Sequence, residues 1–164
     1  MTLSADTLRL HLEYCAWADE RIFEAAKKLT SEELARDFNT SDKNVVGTLA
    51  HVFAAERIWL ARLQGEPRAS FISDEDRRIA TLDEAWPELQ RRWQEWAAAL
   101  NDEAALDGIA YKDLRGNSWE NPVWQIVLHV VNHGTHHRGQ ASGFMRAMGH
   151  TPPPLDLIFF YRSL

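Results

Sequence analysis

The chain has 164 residues, a formal net charge of −6 and 26% charged residues, which is the composition of an ordinary globular domain. The net negative charge argues against sequence-independent binding of nucleic acid, because such binding needs a concentrated basic surface. A single cysteine, Cys15, excludes an internal disulfide and favours a reducing compartment. We expect one domain over residues 1–164 and no nucleic-acid partner.

The N-terminal segment is amphipathic and carries acidic residues, so it does not resemble a secretory leader. Nowhere does an apolar run approach the ~18 residues that a membrane helix needs. These features predict a soluble cytoplasmic protein without a membrane partner.

Apolar residues recur at three- and four-residue steps from about Ser4 to Leu29, which predicts a first amphipathic helix. Thr2, Ser4 or Asp6 could each cap its start. Thr30–Lys43 begins with a second cap-like turn, Thr-Ser-Glu-Glu, and then loses its periodicity.

A second helix is predicted from about Asn44 to Gln64, and a polar crossover follows over Arg68–Ala80. A third helix is predicted over about Thr81–Asn101. Thr81 and Glu84 have the spacing of a capping box, which would fix the start of this helix.

Between Gly108 and Asn121 the pattern changes to residues that tolerate β-structure, interrupted by a Gly-Asn pair. This pattern predicts a short hairpin or an extended loop. A fourth helix follows from about Asn121-Pro122 to Met148 and ends at Gly149. The apolar tail after it is expected to pack on the helices. The whole pattern predicts an all-α fold, a four-helix bundle with one long crossover and this hairpin or loop before the last helix.

Histidines are concentrated in the second and fourth predicted helices. In the fourth helix, two histidines fall within a stripe of residues spaced by three and four, typical of the inward face of a bundle helix. The stripe consists of Ile126, Val130, His133, His137, Ala141, Phe144 and Met148. The helical rotation puts His129 and His136 nearer the edge.

Two imidazoles in adjacent turns of a buried stripe are unfavourable unless both are satisfied, and they cannot both be protonated cheaply. One shared divalent cation solves both problems, because neutral imidazole is a good metal ligand. The alternative is that His133 and His137 are core histidines bonded to the backbone or to a carboxylate. The pair on one stripe favours the metal.

His51, at the margin of the apolar stripe of the second helix, is the candidate third ligand, although a histidine in this position is more often structural. Glu56 falls inside the same stripe. We favour a buried ion pair for it, with an arginine as one candidate partner, over a role in orienting a ligand histidine or accepting a proton. Cys15 lies on the apolar face of the first helix, which favours a buried, inert thiol over a nucleophile.

The segment from His129 to Gln140, HVVNHGTHHRGQ, resembles the hallmark of the DinB/YfiT-like metalloprotein family. Supporting likenesses cover most of the chain. Tyr14–Arg21 resembles the first helix of that family, in which an asparagine often stands where Asp19 stands here. Leu49-Ala-His51, followed by Glu56-Arg-Ile-Trp, resembles its second helix, and the Gly-His-Thr-Pro-Pro-Pro segment after the fourth helix resembles its C-terminal end.

The resemblance implies a four-helix bundle in which His51, His133 and His137 hold one divalent metal ion, zinc or nickel. It also implies a homodimer, which the seven tryptophans favour because one small core cannot hide them all. Some branches of the family are thiol-dependent transferases or isomerases that use bacillithiol, mycothiol or a glutathione-like cofactor.

Two functions therefore stand side by side. The first is a metal-dependent enzyme acting on a small molecule, with Glu56 and His136 as candidate catalytic groups. The second is a non-catalytic, metal-binding stress-response protein with a structural ion. An open coordination position would favour the enzyme, and a fourth protein ligand would favour the structural ion.

Overall fold

Four long helices form the scaffold of this computed structural model, which describes residues 3–66 and 71–164. In chain order the helices are α1 (Ala5–Ala26), the short α2 (Ser31–Ala35), α3 (Val45–Leu63), α4 (Ile79–Ala99), α5 (Val123–Ala147) and the short α6 (Leu157–Tyr161). The predicted all-α bundle is confirmed. The first residues of the predicted crossover lie outside the described residues, and the rest contains a 3-10 turn, Glu75–Arg77.

The long helices pack in the cyclic order α1, α5, α3, α4, so that α5 lies between α1 and α3. All four contribute to one apolar core. Its fully buried side chains include Leu8, Ile22, Leu49, Val52, Leu60, Leu82, Trp93, Val127 and Met145. Because α5 has a neighbour on two sides, it buries two stripes of residues. Among the described residues, none of the helices is long and apolar enough to cross a bilayer.

The segment before α5 forms the predicted hairpin. Strand β1 (Gly108–Lys112) pairs antiparallel with β2 (Ser118–Pro122), with Gly108 opposite Pro122. The turn contains Gly116 at a φ of 89°, a left-handed conformation that glycine adopts without strain. The C-terminal tail packs on the bundle as expected, since Phe160 is buried and contacts the ring of Tyr14 on α1.

Some predicted helix starts hold and others do not. Ser4 caps α1, and Thr30 with Glu33 forms a capping box for α2. The predicted Thr81–Glu84 box is wrong, because α4 begins at Ile79 and Thr81 already lies within its first turn. Ile79 packs against the core, and this burial extends the helix beyond the sequence signal.

The predicted Asn121 cap of the fourth helix is also wrong. Asn121 belongs to β2, where its side chain accepts a hydrogen bond from the Tyr111 hydroxyl and donates one to Gln125. Helix α5 therefore starts at Val123, after Pro122.

Candidate metal centre

Three histidines converge where α3 packs against α5. His51 projects from α3, and His133 and His137 project from adjacent turns of α5. The Nε2 atoms of His51 and His133 are 3.1 Å apart, and the ring of His137 lies 4.5 Å from each of the other two rings. One ring nitrogen from each histidine lies within 4.8 Å of the other two. The structure thus brings together the three residues that the sequence singled out.

The three rings are half-buried. Burial, together with the charges that His137 and His51 would carry, lowers the pKa of His133 to about 3. Burial and His51 also lower the pKa of His137. At neutral pH these two imidazoles therefore carry a free lone pair, as metal binding requires.

One pair of ring nitrogens, that of His51 and His133, has the separation expected around a single bound cation. Two nitrogens at 2.0–2.1 Å from a tetrahedral zinc ion are separated by about 3.3 Å. The 3.1 Å between His51 and His133 is close to this separation. Among the described residues no fourth imidazole, thiol or carboxylate joins the group. Three imidazoles of this kind could hold a metal ion, and they supply three ligands to it.

One close neighbour of the triad has no signal in the sequence. Asp42 lies in the loop between α2 and α3, and its carboxylate faces Nδ1 of His51 at 3.6 Å and Nδ1 of His137 at 4.0 Å. Because this loop has no periodicity, the sequence does not predict that the Asp42 side chain points towards the histidines. Gln140, one turn after His137, accepts a hydrogen bond from Nδ1 of that ring at 3.2 Å.

The two remaining histidines of α5 lie outside the group. His129 and His136 are both exposed, in agreement with the predicted rotation of the helix. His129 packs edge-on against the ring of Trp59 at 5.1 Å. The ring of His136 lies 4.8 Å from that of His137, beside the triad rather than within it. His136 is therefore the catalytic candidate nearer to the site.

Glu56, the other catalytic candidate, points into the bundle interior. Glu56 follows His51 by five positions, which corresponds to about 140° around a helix. Its Oε2 atom accepts hydrogen bonds from the Trp86 indole and the Gln90 amide, so the expected arginine partner is wrong. Burial and the adjacent Asp19 raise the pKa of Glu56 well above its ordinary value, which favours a protonated carboxyl.

The buried arginine of the bundle interior, Arg138, pairs with Asp19 and not with Glu56. The Arg138 guanidinium donates to the Asp19 carboxylate at 2.7 Å, and both side chains are fully buried. Cys15 lies 3.9 Å from the same guanidinium, and burial raises the pKa of its thiol to about 12. Such a thiol is protonated at neutral pH, which agrees with the inert role predicted from the sequence.

A helical bundle with three convergent histidines defines a class of candidate metalloproteins, and sequence comparison narrows the class. The DinB family model matches residues 1–163, and the chain belongs to that family. Protein DinB of Bacillus subtilis is 23% identical over 153 residues, which cover 88% of this chain and 87% of that protein. A DinB-like protein from Bacillus cereus superposes with a TM-score of 0.72 at 18% identity, covering 94% of this chain and 99% of the other, which supports the fold.

Proposed function

We propose that the chain binds one zinc or nickel ion through His51, His133 and His137 and uses the remaining coordination position in the chemistry of a small molecule. The proposal rests mainly on the triad itself, in which three imidazole donors lie within 4.8 Å of one another. A site with three protein ligands is typical of catalytic rather than closed structural zinc.

A bound divalent ion in such a site supplies Lewis-acid chemistry, including stabilisation of the thiolate of a low-molecular-weight thiol. The proposed reaction is therefore a thiol-dependent transfer or isomerisation. The chain's own contribution is to hold the three imidazoles together at a half-exposed position and to keep His133 and His137 neutral. His136, exposed beside His137, is the candidate group for moving a proton at the rim of the site.

A second candidate function is a structural ion in a non-catalytic stress-response protein. The observation that favours it is the origin of the ligands, since one histidine comes from α3 and two come from α5. An ion shared between them would fasten these two helices together.

The deciding experiment compares the metal-loaded protein, the chelator-treated protein and the His133→Ala variant in a thiol-transfer screen. The screen supplies a small thiol and a series of electrophiles, and it follows thiol consumption. The enzyme proposal predicts turnover in the loaded protein alone. Equal rates in all three samples would remove it.

Thermal melts of the same samples at neutral pH test the structural alternative. A ligand that binds only the folded state stabilises it by about 2.7 kcal/mol at 100 times its dissociation constant. A fastening ion therefore predicts a clear drop in melting temperature after chelation. If the metal is removed and the melting temperature does not change, the structural role is excluded.

A cytoplasmic location and the lack of a nucleic-acid partner are consistent with the single buried thiol and the acidic charge. The proposal also includes a homodimer that acts on a small molecule and has no membrane partner.

A further inference from the structure

The Asp42 carboxylate lies near the Nδ1 atoms of two of the three histidines. Its Oδ1 atom is 3.6 Å from Nδ1 of His51, and its Oδ2 atom is 4.0 Å from Nδ1 of His137. The Nε2 atom of His51 points the other way, towards His133. At His51 the carboxylate therefore approaches the ring nitrogen opposite the one that faces His133.

Asp42 is only 7% exposed, and a carboxylate so well buried needs a compensating partner. Within residues 3–66 and 71–164, its ion-pair contacts within 4.0 Å go to His51 and His137 and to no lysine or arginine. The hydroxyl of Ser41 donates one hydrogen bond to Oδ2 at 3.4 Å. The ring N–H groups of His51 and His137 are therefore the main partners of the Asp42 carboxylate among the described residues.

The backbone holds Asp42 in this position. Lys43, the next residue, has a φ of 65°, a left-handed conformation that is unfavourable for a residue with a side chain. The carbonyl oxygen of Asp42 lies against Gly47 in the first turn of α3, where an added Cβ would be 2.1 Å from it. Only glycine at this position lets the loop approach the helix so closely.

We infer that Asp42 is the positioning residue of the triad. It orients His51 and His137 so that their Nε2 atoms, rather than their Nδ1 atoms, turn towards the metal. A carboxylate near Nδ1 favours the tautomer with hydrogen on that nitrogen, fixes the ring and makes Nε2 a better donor. At 3.6 and 4.0 Å the attraction is electrostatic and longer than a hydrogen bond. Gln140 shares this role at His137.

The inference rests on the proposed metal site and is tested by zinc affinity on the full chain. Competition with a chromophoric chelator gives the dissociation constants of the wild type, Asp42→Asn and Asp74→Asn. Asp74 is an exposed carboxylate that lines the same surface cleft as Asp42 and has no ion pair to a histidine among the described residues, so it controls for general charge. Melting of each metal-free protein controls for folding.

The expected result is a 10- to 100-fold weaker zinc affinity for Asp42→Asn, the usual effect of removing such a partner. Asp74→Asn should stay within about twofold of the wild type, and the metal-free melting temperatures should agree. Gly47→Ala keeps the charge of Asp42 but forces its loop away from α3, so it should weaken zinc in the same direction. This second variant decides the question if Asp42→Asn does not fold.

Wild-type affinity in Asp42→Asn, or in Gly47→Ala where that variant decides, would overturn the inference and leave the metal site intact. An equal loss in Asp42→Asn and Asp74→Asn would overturn it as well, because it would reflect net charge alone. A wild-type protein that binds no zinc at micromolar concentration would remove the proposed site itself and this role with it.

Discussion

A buried ion pair between Arg138 and Asp19 links α5 to α1 in the middle of the core. The pair is 2.7 Å long, and its side chains are 1% and 2% exposed. Gly134 makes room for it, because a Cβ at that position would lie 2.6 Å from the guanidinium. The guanidinium carbon also lies over the ring of Tyr14, at 5.4 Å. Arg138 therefore supplies a buried counter-charge to the Asp19 carboxylate.

Arg138→Met, which keeps much of the volume but removes the charge, leaves the Asp19 carboxylate buried without its counter-charge. Breaking a buried pair from one side costs about 3–5 kcal/mol. We expect a loss of this size in the free energy of unfolding, measured by urea titration. Arg91→Met, which removes only exposed ion pairs to Glu88 and Glu95, should leave the stability unchanged. Equal stability of both variants would contradict this account.

The residues that carry the site differ in how far the sequence predicts them. His133 and His137 follow from the periodicity of one helix, which needs no knowledge of the fold. His51 stands at the margin of its stripe, where the pattern made it a candidate, and the resemblance to a family then decided in favour of a metal ligand. The burial of Arg138 could have been predicted, because positions 131, 134 and 138 are separated by three and four residues and so share one face of the helix. Asp42 could not, because a loop without periodicity does not fix the direction of a side chain.

At the scale of elements, the sequence predicts where helices lie better than where they begin. Four long amphipathic stripes locate α1, α3, α4 and α5 to within a few residues, because each must bury an apolar face. The starts of α4 and α5 were wrong, because packing of Ile79 and pairing in the hairpin competed with the local caps. Tertiary contacts outweigh capping, which contributes only about 1 kcal/mol.

The segment that leads into α4 is tied to α3 by an ion pair. Arg57 on α3 donates to both carboxylate oxygens of Asp76 in the 3-10 turn, at 3.0 and 3.1 Å. Burial alone would raise the pKa of Asp76, but hydrogen bonds from Arg57 and Ser73 outweigh it and hold this pKa below its ordinary value. The contact between this turn and α3 is therefore most stable when Asp76 is ionised.

A lowered pKa in the folded state means that the stabilisation is complete above the unfolded pKa and disappears as the pH falls through the folded one. We expect Asp76→Asn to cost ~2 kcal/mol of unfolding free energy near neutral pH, the usual range for hydrogen bonds to a charged group. The difference from the wild type should shrink below about pH 4. Denaturant titrations at several pH values measure it, with Glu75→Gln as the exposed control. A difference that grows as the pH falls would contradict the assignment.

At the scale of the whole molecule, the core does not hide all the large apolar side chains. Of the seven tryptophans, only Trp86 and Trp93 are buried, and Trp119 is 56% exposed. Helix α6 also exposes Ile158, Phe159 and Tyr161. Apolar surface of this kind is typical of an interface between chains.

We therefore expect a homodimer, with a mass by light scattering of about twice the 18.8 kDa of the chain at micromolar concentration. Phe159→Asp should lower the mass to that of one chain if α6 lies in the interface, because the interface would then bury an unpaired charge. Ala80→Asp, at an exposed position of α4, introduces the same charge outside α6 and provides the matched control. A monomeric wild type would contradict the prediction.

The central claim concerns one divalent ion per chain, and zinc titration followed by elemental analysis of the untagged protein tests it most directly. We expect one equivalent in the wild type and a loss of binding in His133→Ala and in His137→Ala, since each removes one of three donors. His129→Ala and His136→Ala remove exposed imidazoles from the same helix and should keep the metal. A fully loaded double variant, His133→Ala with His137→Ala, would contradict the account.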